Sequence, residues 1–142
     1  MMSRKVMVFG VFDGVHEGHR SLFRQAKDHG DYLIAVVTQD IIVQYLKGRL
    51  PRHNLPTRIE ALEKEKLVDQ IALGDAELGT YEVVKKYRPE IIVLGYDQTE
   101  LKKDFKKHLR EFDWKPKIVI ADANEPEKYH SSLLDKKKKI AQ

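Results

Sequence analysis

Five short, largely apolar segments recur along the chain, and residues with helical spacing separate them. The segments comprise residues 6–9, 32–37, 68–73, 91–94 and 117–120. Their apolar residues run together instead of alternating with polar ones, which is typical of strands that are covered on both faces. A regular alternation of such strands with helices is typical of a parallel sheet with helices on both faces. The pattern therefore predicts an α/β fold with five strands.

Six helices are predicted from the spacing of the apolar residues between the strands. They comprise residues 17–29, 40–46, 57–66, 80–87, 99–110 and 131–140. Gly30 is expected to end the first helix as its C-cap. Thr57, with Glu60 three residues later, has the pattern of a capping box, so Thr57 is expected to begin the third helix. Residues 47–56 form the longest irregular stretch, and their two prolines and four potential cations are typical of a functional loop.

Length and composition exclude several classes of protein. The 142 residues predict one domain over residues 1–142, which is long enough to bury a core. With 42% apolar and 34% charged residues the chain fits neither a disordered nor a membrane protein, and no apolar run approaches the roughly 20 residues that cross a bilayer. The absence of cysteine excludes disulfides, thiolate nucleophiles and zinc–thiolate sites. A cytoplasmic protein is therefore expected.

The charge of the chain is mildly positive, because 26 lysine and arginine residues exceed 22 aspartate and glutamate residues by four. Such an excess suits a protein that handles an anionic small molecule. Basic residues cluster at 47–52, 102–107 and 136–139, but they are not interleaved with aromatic residues as binding of a nucleic-acid strand would require. No nucleic-acid partner is therefore expected.

Candidate chemistry follows the first strand, in residues 10–19 with the sequence GVFDGVHEGH. Ligands of an open parallel sheet bind beyond the carboxyl ends of its strands, which is where this segment lies. The segment matches neither the dinucleotide-binding nor the Walker pattern. His16 and His19 stand among glycines at a predicted helix start, where free N–H groups attract phosphate and both imidazoles can donate hydrogen bonds. The segment therefore favours phosphate binding.

Two other interpretations of this segment stay open when the residues alone are considered. His16 and His19 could hold zinc together with Asp13, although the positive end of a helix dipole disfavours a cation and no third strong ligand is near in the sequence. The other alternative is an ordinary strand–turn–helix connection that carries two surface histidines.

Residues 10–19 resemble the signature of the nucleotidylyltransferase superfamily, in which G-x-F-D-x-x-H-x-G-H follows the first strand. Three further blocks occur in the order of that family. TRIEAL at 57–62 resembles its arginine-bearing helix, LGYDQ at 94–98 the segment after its fourth strand, and HSS at 130–132 its C-terminal motif. The resemblance covers nearly the whole chain. It implies a single Rossmann-like domain whose five parallel strands have the order 3-2-1-4-5.

The resemblance also implies a reaction. A substrate phosphate attacks the α-phosphorus of a nucleoside triphosphate, ATP or CTP, with Mg²⁺, and pyrophosphate leaves. By similarity, His16 and His19 contact the triphosphate and stabilise the transition state, while Arg58 and a loop cation such as Lys47 add positive charge. The nucleotide-binding residues implied by the resemblance are Gly10, Val11, Phe12, Asp13, Gly18, Asp97, His130, Ser131 and Ser132. Asp13 is expected either to hold the turn through backbone N–H groups or to contact the ligand or magnesium.

Within the superfamily, several blocks favour FMN as the acceptor. FDGVH at 12–16 resembles the FMN adenylyltransferase half of bacterial bifunctional flavin enzymes. KGR at 47–49, together with the 94–98 and 130–132 blocks, resembles archaeal-type stand-alone FAD synthases. The arginine that precedes the C-terminal motif of cytidylyltransferases is absent from residues 126–132. An FMN adenylyltransferase that uses ATP is therefore the favoured function.

Other functions stay open beside this one. Within the same chemistry, the alternative is a cytidylyltransferase that acts on glycerol 3-phosphate or a related polyol phosphate. Outside it, the alternative is a nucleotide-binding regulatory module without turnover, against which the intact His16 and His19 argue. The resemblance is compatible with a homodimer, because the family often dimerises.

Overall fold

A five-stranded parallel sheet organises residues 3–123, the part of the chain that the computed structural model describes. Its strands are β1 (Lys5–Gly10), β2 (Tyr32–Val37), β3 (Gln70–Leu73), β4 (Ile91–Leu94) and β5 (Lys117–Ile120). They lie in the order β3-β2-β1-β4-β5, and every neighbouring pair is parallel. The predicted sheet and its strand order are confirmed.

The direction of the strand order reverses between β1 and β4, and this junction is open at its carboxyl end. β1 pairs with β2 along all six of its residues, whereas it pairs with β4 only at Val6 and Met7. The last residues of β1 therefore have a neighbouring strand on one side alone. Ligand sites of open α/β sheets form at such a point.

Helices cover both faces of the sheet, as predicted. They are α1 (Glu17–Lys27), α2 (Asp40–Lys47), α3 (Leu55–Glu63), α4 (Glu82–Tyr87) and α5 (Thr99–His108). On one face, Phe23 of α1 and Leu62 of α3 join a buried core with β-strand residues. On the other face, Val84 of α4 and Phe105 of α5 do the same. Within residues 3–123, no helix has the length and apolar character that a membrane crossing requires.

Some helix boundaries depend on contacts outside the local pattern. α4 begins at Glu82, two residues later than predicted, because Tyr81 has a left-handed φ of 53°. The Asp75 carboxylate accepts hydrogen bonds from the first two N–H groups of this helix, at 3.0 and 2.9 Å. α5 is followed by one 3-10 turn, Leu109–Glu111. The predicted helix 131–140 lies outside the described residues.

Gly30 does not cap α1, in contrast to the prediction. The helix ends at Lys27, and its C-cap is Asp28 in the right-handed conformation. A Cβ atom on Gly30 would lie 2.5 Å from the carbonyl oxygen of Arg4 and 2.5 Å from a methyl carbon of Val6. Glycine is therefore needed here because two backbone segments approach closely before β1 and β2 begin.

The start of α3 also differs from the prediction. Asn54 is the N-cap, and its Oδ1 accepts a hydrogen bond from the Thr57 N–H at 3.1 Å. Pro56 lies in the first turn, where the missing N–H of proline costs no helical hydrogen bond. The helix thus begins two residues before Thr57, and the expected capping box of Thr57 and Glu60 is wrong.

The assignment of the cap can be tested by comparing two substitutions one turn apart. Asn54→Ala should lower the free energy of unfolding by about 1 kcal/mol, because the Thr57 N–H loses its acceptor. Thr57→Ala should change it by less than about 0.5 kcal/mol, because the exposed Thr57 side chain caps nothing. Urea denaturation of both variants measures the difference. The opposite ranking would restore Thr57 as the N-cap.

Candidate active site

The candidate site lies beyond the carboxyl ends of β1 and β4, where the strand order reverses. Residues 11–16 connect β1 to α1, and residues 95–98 connect β4 to α5. Gln98 holds these connections together. Its Nε2 donates to the carbonyl oxygen of Phe9 at 3.0 Å, and its Oε1 accepts from the Gly95 N–H at 2.7 Å. One amide side chain therefore links both sides of the site.

His16 and His19 form a reciprocal cap at the start of α1. Nδ1 of His16 accepts a hydrogen bond from the Gly18 N–H at 3.0 Å, and Nδ1 of His19 accepts one from the His16 N–H at 3.2 Å. The two rings stack, with centroids 4.0 Å apart. A ring nitrogen that accepts a hydrogen bond carries no proton, so each neutral imidazole carries its proton on Nε2.

Both imidazoles are neutral at pH 7. Burial lowers the pKa of His19 to about 4, helped by the neighbouring His16 and Arg20. The pKa of His16 is also below its usual value, first through burial and then through the Arg20 guanidinium. The pair therefore offers N–H dipoles instead of positive charge.

Two glycines of the motif make room for aromatic rings. A Cβ on Gly18 would lie 2.9 Å from Cε1 of His16, and one on Gly10 would lie 2.8 Å from the Phe12 ring. Phe12 has a left-handed φ of 54°, and its buried ring packs against His19 and Phe23 at centroid distances of 5.2 and 5.7 Å. The side chain of Phe12 therefore belongs to the core, which leaves only its backbone available to a ligand, and its role in nucleotide binding stays a prediction.

Asp13 holds a neighbouring loop. Its Oδ2 accepts from the Arg52 N–H at 2.7 Å, and its Oδ1 lies 2.9 Å from the His53 N–H and 2.8 Å from Nδ1 of the His53 ring. Burial opposes ionisation, yet these hydrogen bonds keep the pKa of Asp13 below its usual value. Of the two expected roles, the contacts favour the structural one, with the difference that Asp13 holds residues 52–53 and not its own turn.

The zinc alternative has no support in the described part of the chain. Nδ1 of both His16 and His19 is occupied by a backbone N–H, and both oxygens of Asp13 accept from the loop. Within residues 3–123, no group of three or more histidine, aspartate or glutamate side chains is arranged to hold a metal ion.

Arg58 is buried, with 1% of its surface exposed. Its Nε donates to the carbonyl oxygen of His53 at 2.9 Å, and its Nη1 donates to those of Val11 and Thr38 at 2.8 and 2.9 Å. Its Nη2 forms an ion pair with Asp40 at 2.5 Å. Arg58 is therefore a positioning residue in this structure, and the triphosphate contact expected from the sequence would require it to leave these partners.

The remaining predicted residues differ in where they lie. Asp97 is exposed in the connection between β4 and α5, close to Gly95. Lys47 is exposed at the last position of α2, about 10 Å along the helix axis from Asp40. His130, Ser131 and Ser132 lie outside the described residues. The structure thus brings the 10–19 and 95–98 segments together. Lys47, in contrast, lies at the far end of α2 from Asp40, the residue of this helix that pairs with Arg58.

Sequence reasoning did not foresee the structural role of two polar residues that hold the site, although Gln98 belongs to the 94–98 block. Gln98 joins β1 and β4 as described above, and the Thr38 hydroxyl donates to the carbonyl oxygen of Gly10 at 3.2 Å. Both residues lie shortly beyond the end of a buried strand. That position is the signal that could have found them, because strand ends at this edge of the sheet meet at the site.

The protonation of His19 is open to direct measurement. We expect its ring to titrate near pH 4 in the folded protein and to carry its neutral-form proton on Nε2. An unfolded histidine titrates near pH 6.5, so the unfolded state binds the proton first. The stabilising contribution should be complete above about pH 6.5 and be lost as the pH falls towards 4. Nitrogen-15 NMR of the ring reports both properties, and an Nδ1–H tautomer would contradict the geometry.

Similarity to known proteins agrees with the fold and the site geometry described above. Residues 7–137 match the family described as cytidylyltransferase-like. The FAD synthase of Aciduliprofundum boonei is 38% identical over 136 residues, which cover 96% of this chain and 87% of that protein. The FAD synthase of Thermococcus sibiricus is 39% identical over 107 residues, which cover 72% of each chain.

A solved structure shares both the fold and part of the sequence. The lipopolysaccharide core biosynthesis protein from Thermoplasma volcanium superimposes with a TM-score of 0.75 and 30% sequence identity, covering 87% of this chain and 100% of that one. This similarity agrees with the sheet described above, and the family match covers residues 7–137. The chain belongs to the cytidylyltransferase-like family.

Proposed function

We propose that the protein is an FMN adenylyltransferase, or FAD synthase, which transfers AMP from ATP to the phosphate of FMN. The observation that carries the chemistry is the stacked pair of neutral imidazoles at the start of α1, each with its proton on Nε2. The choice of substrates rests on the similarity to FAD synthases over as much as 96% of the chain.

The proposed reaction needs no nucleophilic side chain. A phosphate oxygen of FMN forms a bond to the α-phosphorus of ATP, and the bond from that phosphorus to its bridging oxygen breaks. The electron pair of the broken bond leaves with pyrophosphate. Negative charge is spread over the phosphate oxygens in the transition state, so positioned donors accelerate the step. His16 and His19 would supply two such donors from Nε2.

The start of α1 adds to these donors. An α-helix carries a partial positive charge at its N-terminus, and α1 is 11 residues long. Gly14, with a φ of 93°, and Gly18 have no side chains that would keep a phosphate from the backbone. We expect the triphosphate to lie across this turn.

Magnesium would enter as part of the nucleotide substrate. Mg²⁺ is commonly held by substrate phosphates with one or two carboxylates. Asp97 is a candidate for such a carboxylate, because it is exposed beside the site and has no hydrogen-bond or ion-pair partner within residues 3–123. Its role in nucleotide binding, like that of Val11, Lys47, His130, Ser131 and Ser132, stays a prediction.

The flavin would require an open, apolar surface next to the phosphate site. Tyr96 follows β4, is 57% exposed and lies beside Asp97, so its ring can stack on the isoalloxazine or on the adenine.

The second candidate function is CTP-dependent transfer to glycerol 3-phosphate, which Asp97 and Gln98 could favour through their polar groups. The homodimer, the cytoplasmic location and the absence of a nucleic-acid partner stay predictions.

The substrate pair can be determined with purified protein. Incubation with Mg²⁺, ATP and FMN should yield FAD and pyrophosphate, detected by chromatography and by a coupled pyrophosphate assay. CTP and glycerol 3-phosphate serve as the matched alternative pair under the same conditions. Pyrophosphate release from that pair without FAD formation from the first would replace the proposed function by the cytidylyltransferase one.

The histidine pair is the second point that can be tested. His16→Ala and His19→Ala should each lower kcat by about 10²–10³, because each removes one donor to the transition state. His16→Asn separates chemistry from folding, since asparagine still caps the helix but loses the ring Nε2 donor. His29→Ala is the control, because His29 precedes β2 and therefore lies at the amino ends of the strands, away from the site at their carboxyl ends. A His16→Asn variant with wild-type turnover would contradict the proposed role of that ring.

A further inference from the structure

Besides Mg²⁺ and the start of α1, phosphate chemistry at this site benefits from a cationic side chain, which the basic residues of α1 and α3 described so far do not supply. His16 and His19 are neutral at pH 7. Arg58 is buried and paired with Asp40. Arg20 donates to both oxygens of Glu65, at 3.1 and 3.2 Å. A cation without such a partner must therefore be sought in the neighbouring loop.

Arg52 has the required position. Asp13 accepts the Arg52 N–H at 2.7 Å, which fixes the backbone of this residue against the histidine motif. The guanidinium reaches the turn, where Nη2 lies 3.6 Å from the position that a Cβ on Gly14 would occupy. Arg52 is exposed, and within residues 3–123 its side chain has no ion-pair or hydrogen-bond partner. Gly14 is two residues before His16, so the free guanidinium lies at the turn that leads into the histidine pair.

We propose that Arg52 binds a substrate phosphate in this site and that Asp13 is the residue that positions it. The proposal rests on the proposed function, because it assigns a further contact for the same reaction. The ligand is a phosphate oxyanion, which is either part of the triphosphate or the phosphate of the acceptor. Arginine suits this task because its planar donors match a phosphate in pairs.

The loop around Arg52 is fixed from two sides. Asp13 holds the N–H groups of residues 52 and 53, and Arg58 donates to the carbonyl oxygen of His53. A residue that is already ordered loses less conformational entropy when a ligand binds. Lys47 at the end of α2 and Arg49 earlier in the loop are exposed, and no contact within the described residues ties them to the turn. This difference distinguishes Arg52 from the other loop cations.

The first test compares kcat/KM for ATP and for FMN in three variants. Arg52→Ala should lower kcat/KM by about tenfold to a hundredfold for the substrate whose phosphate it binds, as expected for a charged hydrogen bond. Arg52→Lys should recover part of this loss, because it keeps the charge. Arg110→Ala is the matched control. Arg110 is an exposed arginine between the end of α5 and the start of β5, so it lies at the amino ends of the strands, away from the site. A loss confined to ATP assigns the triphosphate, and a loss confined to FMN assigns the acceptor.

The second test concerns Asp13. Asp13→Ala should release residues 52–53 and reproduce the loss seen in Arg52→Ala. The double variant should then lose little more than either single variant, because both changes remove the same contact. Fully additive losses would show that Asp13 acts independently of Arg52. Values of kcat/KM for Arg52→Ala within threefold of wild type for both substrates would overturn the proposal.

Calorimetric binding separates this proposal from the proposed function. Mg·ATP, Mg·CTP and pyrophosphate are each titrated into the wild type and into Arg52→Ala. If the wild type forms no FAD, the proposed function fails, while weaker binding of any of these ligands to Arg52→Ala still supports the phosphate contact. Equal affinity of both proteins for all three, without a change in FMN kinetics, overturns it. Thermal unfolding of each variant checks that the fold is intact.

Discussion

One buried guanidinium holds the candidate site in place. Arg58 donates to three carbonyl groups, those of Val11 after β1, Thr38 after β2 and His53 before α3. A buried cation is costly to desolvate, and here Asp40 at the start of α2 compensates its charge. The contacts join segments as many as 47 residues apart in the sequence. The loop that carries Arg52 and the turn that carries the histidines are therefore fixed relative to one another.

The strands of the sheet could be predicted from the sequence because each strand is a run of apolar residues that are neighbours in the chain. All of β4, all but the first residue of β2, and three of the six residues of β1 are buried, and glycine ends β1 and follows β4. The strand order followed from the resemblance of the 10–19 motif to a family, since periodicity alone does not order strands. The sheet and the helices on both of its faces could thus be predicted.

The contacts within the site join residues that are far apart in the sequence, and they were therefore harder to predict. Asp13 finds its partners 39 and 40 residues away, and nothing in the pattern around it distinguishes a ligand contact from a loop contact. Arg58 looks like an exposed arginine in the first turn of a helix, yet it is buried because three backbone carbonyls and Asp40 surround it. The start of α3 was misplaced for a simpler reason: Asn54 caps as well as threonine, and Pro56 is compatible with a first turn.

The junction between β1 and β4 has a consequence for how the sheet ends. Beyond Met7, β1 has no strand partner on the β4 side, so its peptide groups there need another source of hydrogen bonds. Gln98 meets this need at Phe9, since its amide both donates to that carbonyl and accepts from Gly95 as a neighbouring peptide group would. A side chain thus replaces one rung of the ladder. A crevice can therefore open between the carboxyl ends of β1 and β4 while the Phe9 carbonyl keeps a hydrogen-bond donor.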